Sequence, residues 1–332
     1  MADLINRKII NTTLSKDNAE KLRTLSKRKG IPQTRVLDRA VDTLYQKEEA
    51  SMEGAAKHKG IAICIANNKG GVGKTTSTAA FADLLSKRGK HVLVIDADPQ
   101  GNLSGRFGYS ADSPDQAIPN YLGSLIEDRF RGTEHQPLGY FINHLDEFPR
   151  IDIIYSDIRL DGVYTLLTTD SIASATMFRK LLAEIRSLDK YDYILIDARP
   201  AVNNEVSSIF IGSDYVIIPV EASWDSIVGA NTIYQFMAKS RELNPALKLL
   251  GVFFTKVQDR TTSFHTLLPM VKGNWDKDLF QTKIPRNQDV VNAENEGYPV
   301  TYRKPACKAS KAYVKLLDEM VERIDNDEKQ ND

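Results

Sequence analysis

Residues 61–76 read Ile-Ala-Ile-Cys-Ile-Ala-Asn-Asn-Lys-Gly-Gly-Val-Gly-Lys-Thr-Thr, and the architecture of the chain follows from them. The first six form a short apolar run suited to a buried parallel strand. The next ten concentrate glycine, and Ala79, Ala80, Phe81, Leu84 and Leu85 then give a helix its apolar face. A strand, a glycine loop and a helix in that order are the context that a phosphate-binding loop requires. Gly70, Gly71 and Gly73, with Val72 between them, let backbone N–H groups approach phosphate oxygens with no Cβ in the way. The N-terminus of the helix adds partial positive charge. Lys74 is placed to neutralise β- and γ-phosphates, Thr75 to offer a hydroxyl to Mg²⁺, and Thr76 to complete the loop. The expected cofactors are ATP and Mg²⁺.

Two further apolar runs end in carboxylates. His91-Val92-Leu93-Val94-Ile95 leads into Asp96-Ala97-Asp98-Pro99-Gln100-Gly101-Asn102. Asp96 and Asp98, two apart at the C-terminal end of a parallel strand, face one side, where α/β sheets bind ligands. Tyr193-Ile194-Leu195-Ile196-Asp197 has the form of a strand that carries a Mg²⁺ ligand. Residues 214–220 and 250–255 supply two more buried strands. The alternation of strands and helical segments predicts an α/β fold with a doubly wound, mainly parallel sheet.

The loop departs from the common pattern G-x-x-x-x-G-K-[ST]. It has Asn68 where that pattern has Gly, and it carries Lys69 five residues ahead of Lys74. In this order, KGGVGKTT, it resembles the deviant phosphate loop of the ParA/MinD ATPase family, and the likeness extends over roughly residues 60–325. The resemblance implies that Lys69 crosses a dimer interface to the partner's nucleotide. A lysine so near the start of the loop points away from its own γ-phosphate, which agrees with that role. The family's DxDPQGN motif gives Asp98 the duty of holding the attacking water, and Asp96 would support Mg²⁺ through water. Asp98, Lys69 and Lys74 are the catalytic candidates, and Thr75, Asp96 and Asp197 the metal candidates. Ile284-Pro285-Arg286-Asn287 matches a family motif whose loop flanks the adenine, so Pro285, Arg286 and Asn287 are candidates for base contact. After Asp197 the family usually continues Cys/Thr-Pro-Pro. This chain has Ala198-Arg199-Pro200, and Arg199 either contacts phosphate or alters coupling to a partner.

The 332 residues hold 44 Lys+Arg and 44 Asp+Glu, a net charge of zero. Evenly spread, that balance would argue against a nucleic-acid partner. It is not evenly spread: residues 1–59 hold 13 basic and 8 acidic residues, a net of +5, which leaves −5 on residues 60–332. Residues 8–14 read as a short strand, with Ile9, Asn11 and Thr13 on one face. Ser15 caps a helix with an apolar stripe of Ala19, Leu22 and Leu25, and Gly30 stops it. Pro32 opens a second helix whose wide apolar face runs from Val36 to Tyr45. So short a segment cannot bury those faces alone, and dimerisation is the expected remedy.

Residues 1–46 resemble a ribbon-helix-helix domain. The resemblance implies a two-stranded ribbon in the major groove, with Ile9, Asn11 and Thr13 toward the bases. Lys8 and Arg7 would reach the backbone, and the helix start at Gln33 and Thr34 would hold a phosphate. Ile9 suits a thymine methyl better than hydrogen-bond readout. Residues 47–59 read as a linker and 326–332 as an acidic tail.

The remaining composition, 42% hydrophobic and 27% charged, is that of an ordinary globular protein. No run of about 18 apolar residues exists for a spanning helix, and the first ten residues lack a secretory h-region. Cys64 and Cys307 suggest neither a disulfide framework nor a metal cluster. The expected location is cytoplasmic and nucleoid-associated. The family also holds DNA non-specifically through basic residues, for which Arg260 and Lys304 are candidates, with Lys272, Arg303, Lys308 and Lys311 beside them. A solvated charged face is the competing reading for each. The function implied is DNA partition by a homodimer that forms on ATP, binds DNA and is released by hydrolysis stimulated by a ParB-like centromere-binding partner. A nucleotide-sensing transcriptional repressor is the alternative. The acidic end of the chain argues against a MinD-like membrane attachment.

Overall fold

The computed structural model describes residues 16–30, 32–34, 36, 60–109, 117–131, 135–258 and 261–331. The chain divides into two units, Met1–Lys57 and His58–Asp332. In the first, a helix spans Lys16–Lys29, with Lys27, Arg28 and Lys29 in its last turn. Gly30 ends it in a left-handed conformation, φ 63°, which glycine adopts without strain. Gln33 and Thr34 are helical and exposed. The expected strand, with Lys8, Ile9, Asn11 and Thr13, and the linker 47–59 lie outside the described residues.

Among the described residues the second unit is built on seven strands: β1 Ile61–Ile65, β2 Val92–Ala97, β3 Asn143–His144, β4 Ile151–Ile154, β5 Tyr193–Ala198, β6 Tyr215–Val220 and β7 Lys248–Phe254. Their order across the sheet is β3-β4-β2-β5-β1-β6-β7. All neighbours pair in parallel except the two-residue edge strand β3, which runs antiparallel to β4. The central strands are continuous apolar runs because both faces of the sheet are covered. Ala62 and Cys64 face one core with Phe178, Leu182, Ile209 and Phe210. Ile63 and Ile65 face the other with Phe81, Phe253, Tyr313 and Leu316. Helices on both faces make the sheet doubly wound, as its sequence pattern predicts. Pro219, unusual within a central strand, lies past Ile217, the last residue of β6 that pairs with β1, where no β1 carbonyl needs its missing N–H.

One expectation changes at the C-terminal end. The segment from 326 is no tail: a single helix spans Lys308–Asn331. Asp327 on it accepts from Lys248 Nζ at 2.6 and 2.8 Å and from the Tyr215 hydroxyl at 2.7 Å. Acidic residues there serve as partners for the starts of β6 and β7, a contact invisible to composition.

Candidate functional site

The loop 66–73 leaves β1 at the C-terminal edge of the sheet, beside the ends of β5 and β6, and enters the helix Lys74–Lys87. Gly71 and Gly73 have φ 74° and 89°, values that any other residue would adopt only with strain. A Cβ built on Gly70 or Gly71 would meet no protein atom within 4 Å. The glycines therefore keep a concave side open rather than relieve crowding within the protein. Lys74 is 7% exposed, and its Nζ donates to the Lys69 carbonyl at 3.0 Å. Burial pushes its pKa down, while the nearby carboxylates of Asp197 and Asp98 oppose that shift.

The three carboxylates have three environments. Asp197, 1% exposed, accepts from Thr75 Oγ1 at 2.6 Å through Oδ2, and its buried Oδ1 has no partner among the described residues. Burial and then the charge of Asp96 hold its carboxyl well above the usual range. Asp96 is fully buried, and burial raises it to about 6. Its oxygens are engaged: Oδ2 accepts from the Ser104 backbone at 2.8 Å and hydroxyl at 2.7 Å, and Oδ1 from the Asp98 N–H at 3.2 Å. Asp98 is half-buried, and its Oδ1 accepts from the Gln100 N–H at 3.0 Å, closing the turn that carries it. A donor set of one orphaned carboxylate oxygen and one threonine hydroxyl fits Mg²⁺, which takes few protein ligands and completes its shell with water and phosphate. No cluster of three or more His, Cys, Asp or Glu able to hold a metal occurs among the described residues.

The Lys69 side chain is engaged outside the loop: its Nζ donates to Ser223 Oγ at 2.9 Å. Ser223 is the N-cap of the helix Trp224–Ser240, yet its hydroxyl makes no capping bond within that helix. Pro285 lies in a parallel bridge with Val257, Arg286 is exposed, and Asn287 caps the helix Gln288–Asn295 by accepting from the Asp289 N–H at 2.7 Å. Arg199 pairs with Asp161 at 2.9 Å. Lys304 is exposed, and Arg260 lies outside the described residues.

Sequence reasoning missed several residues around the loop. The Asn67 side chain is fully buried, donates to the carbonyls of Pro219 at 2.7 Å and Ser226 at 3.3 Å, and accepts from the Lys69 N–H at 2.9 Å. It fastens the start of the loop to β6 and the following helix. Thr255, also buried, donates to the Val72 carbonyl at 2.8 Å. Lys256, in the left-handed region at φ 51°, donates to the Gly71 carbonyl and pairs with Glu221 at 2.7 Å. Glu294 accepts from Thr76 Oγ1 and sits 3.7 Å from Arg106, whose NH1 donates to the Glu294 carbonyl at 2.7 Å. A polar residue next to the glycine run was the available signal for Asn67. None existed for Glu294 or Arg106, which meet only through the fold.

A family model described as an AAA domain matches residues 60–249, and one described as a ribbon-helix-helix domain matches residues 6–47. The chromosome partitioning protein ParA of Caulobacter vibrioides is 30% identical over 264 residues, covering 79% of this chain and 94% of that protein. Among solved structures, the cell division ATPase MinD of Pyrococcus furiosus matches with TM-score 0.61 at 24% identity, over 79% of this chain and 99% of that one. A cobyrinic acid a,c-diamide synthase of Mycobacterium smegmatis, with bound ATP analog and magnesium, matches with TM-score 0.65 at 24% identity, over 78% and 93%. These two structures share the fold, and ParA matches across nearly its whole length. The chain belongs to the ParA/MinD family of phosphate-loop ATPases and carries a ribbon-helix-helix domain at its N-terminal end.

Proposed function

We propose that this protein is an ATP-driven DNA partition ATPase that cycles between a DNA-bound dimer and a released state. The observation that carries the reading is the group Lys74, Thr75 and Asp197 at the mouth of the glycine loop, with one buried carboxylate oxygen unmatched among the described residues. ATP would lie with its phosphates along residues 69–76, and Pro285, Arg286 and Asn287 would flank its adenine. Thr75 and Asp197 would hold Mg²⁺, with Asp96 behind them, and the bound ion supplies neutralisation of β- and γ-phosphate charge. Asp98 would accept a hydrogen bond from the attacking water and hold it in line. Lys74 stabilises the charge that develops on the phosphates. Lys69 would leave Ser223 and reach the nucleotide of a second copy, so that ATP favours the dimer by differential affinity.

The basic N-terminal unit, residues 1–46 before a linker at 47–59, would supply specific DNA contacts through Lys8, Ile9, Asn11, Thr13, Gln33 and Thr34. Arg260 and Lys304 are the candidates for non-specific contacts, and a centromere-binding adaptor for the partner that stimulates hydrolysis. The cell location that suits this role is the nucleoid within the cytoplasm. The test is DNA binding of the full chain with ADP and with ATP, by footprint on its own upstream region and by retention of random duplex. ATP-dependent coating of random DNA is expected. A single protected site with no nucleotide-dependent coating would instead favour a repressor.

A further inference from the structure

The carboxylate of Glu294 stands where two parts of the nucleotide site meet. Its helix, Gln288–Asn295, begins at the N-cap Asn287, in the segment proposed to flank the base. Seven residues on, about 10 Å along a helix, Glu294 Oε1 accepts from Thr76 Oγ1 in the first turn of the loop helix. Glu294 thus touches the phosphate end of the site while riding on the element that starts at its base end.

The side chain is carried on a fixed element. Ala293 beside it is fully buried, and Arg106 NH1 donates to the Glu294 carbonyl at 2.7 Å. Just past the helix, a Cβ on Gly297 would sit 3.2 Å from the Gly105 carbonyl, so the helix end is packed against the turn after β2. The Arg106 guanidinium, 3.7 Å from Oε1, offsets the charge of the carboxylate and lets it stand near a phosphate chain. The second carboxylate oxygen is spare. Oε2 has no hydrogen-bond partner among the described residues, and unlike Asp197 Oδ1 it is not shut away from water, the side chain being 26% exposed. An ionised carboxylate only accepts hydrogen bonds, so it calls for a donor. Phosphate oxygens next to it would be repelled. Between the phosphates and the base of a nucleotide, the donors are the ribose hydroxyls.

We propose that Glu294 Oε2 accepts a hydrogen bond from a ribose hydroxyl of the bound nucleotide, and so selects ribonucleotides over deoxyribonucleotides. The inference rests on the nucleotide reading above but requires binding alone, not hydrolysis. The test is calorimetric titration of the full chain, in Mg²⁺, with ADP, 2′-deoxyADP and 3′-deoxyADP. ADP is expected to bind at least about tenfold more tightly than one of the two analogues, as for a hydrogen bond to a charged group. Glu294→Ala also strips Thr76 and Arg106 of a partner and should weaken all three ligands, with the ratio between them falling to about one. Glu294→Gln keeps the shape without the charge, should retain a ratio of only a few-fold, and decides the matter if the alanine variant does not fold. A merely structural role would lower affinity and leave the ratio alone. Equal binding of the three ligands by the wild type, or an undiminished ratio in either variant, overturns the assignment. No binding at millimolar ADP sinks the nucleotide reading and this inference with it, whereas binding without discrimination sinks the inference alone.

Discussion

Asp96, Asp98 and Asp197 share a side-chain type and differ in what surrounds them. Asp98 uses one oxygen on the turn that carries it, Asp96 has both engaged, and Asp197 keeps one unmatched among the described residues. The division suggests distinct consequences of mutation. Asp98→Ala should retain ATP-dependent dimerisation and slow turnover by about 10²–10⁴-fold, the usual worth of a positioned acid–base group. Hydrolysis at the wild-type rate would remove Asp98 from its role. Lys74→Ala deletes the buried cation placed against the β- and γ-phosphates, so ATP affinity should fall by about 10–100-fold, from the roughly 1.5–3 kcal/mol of a hydrogen bond to a charged group. Tight ATP binding retained in a fluorescence titration would refute the loop assignment.

Two glycines within helices predict opposite signs. On the helix Trp224–Ser240, a Cβ at Gly229 would lie 2.6 Å from Asn67 Oδ1 and 3.2 Å from the Lys69 N–H nitrogen. Gly229→Ala should therefore destabilise by about 1–3 kcal/mol through overpacking, and should loosen ATP binding because the displaced group is the anchor of the loop. On the helix Thr262–Trp275, a Cβ at Gly273 meets nothing, so Gly273→Ala should stabilise by roughly 0.5–1 kcal/mol. Denaturant melts of the two variants that shift in the same direction would show that packing is not the cause. At the other edge of the sheet, Asp152 on β4 accepts from Tyr191 at 2.7 Å and from His144 on β3 at 2.8 Å, and also from Lys190. Burial alone would raise this carboxyl, but these donors outweigh burial and hold it below the usual range. Its folded pKa being depressed, its stabilisation is complete above the unfolded value of about 3.9 and fades as pH falls through the folded value. Asp152→Asn should cost on the order of 1–3 kcal/mol near neutral pH, and the difference from wild type should shrink below about pH 4. A gap in unfolding free energy that stays constant to pH 2 would contradict this.

Across the whole molecule the neutral charge is a sum of +5 on residues 1–59 and −5 on the rest. If the basic unit supplies specific contacts, removing residues 1–46 should abolish a footprint while ATPase activity persists, since the phosphate site lies within His58–Asp332. Asn11→Ala in the full chain should cost about 1–3 kcal/mol at one base pair and leave ATP turnover unchanged. An undiminished footprint after truncation would move specific DNA binding to the ATPase unit.

The glycine loop, the acidic strand ends and the alternation of strands and helices were legible in the sequence because each is a local pattern. Apolar runs five or six residues long specify buried parallel strands, and the chemistry of a phosphate loop is confined to ten consecutive residues. The supports of that loop were not legible. Asn67 meets Pro219 across 152 positions, Thr255 meets Val72 across 183, and Thr76 meets Glu294 across 218. Such pairs arise from the strand order, which sets β1 between β5 and β6. Local preference carries no record of that order, because it results from burying both faces of one sheet at once. For the same reason, composition marks the end of the chain only as acidic, whereas the fold sets Asp327 against Lys248 and Tyr215.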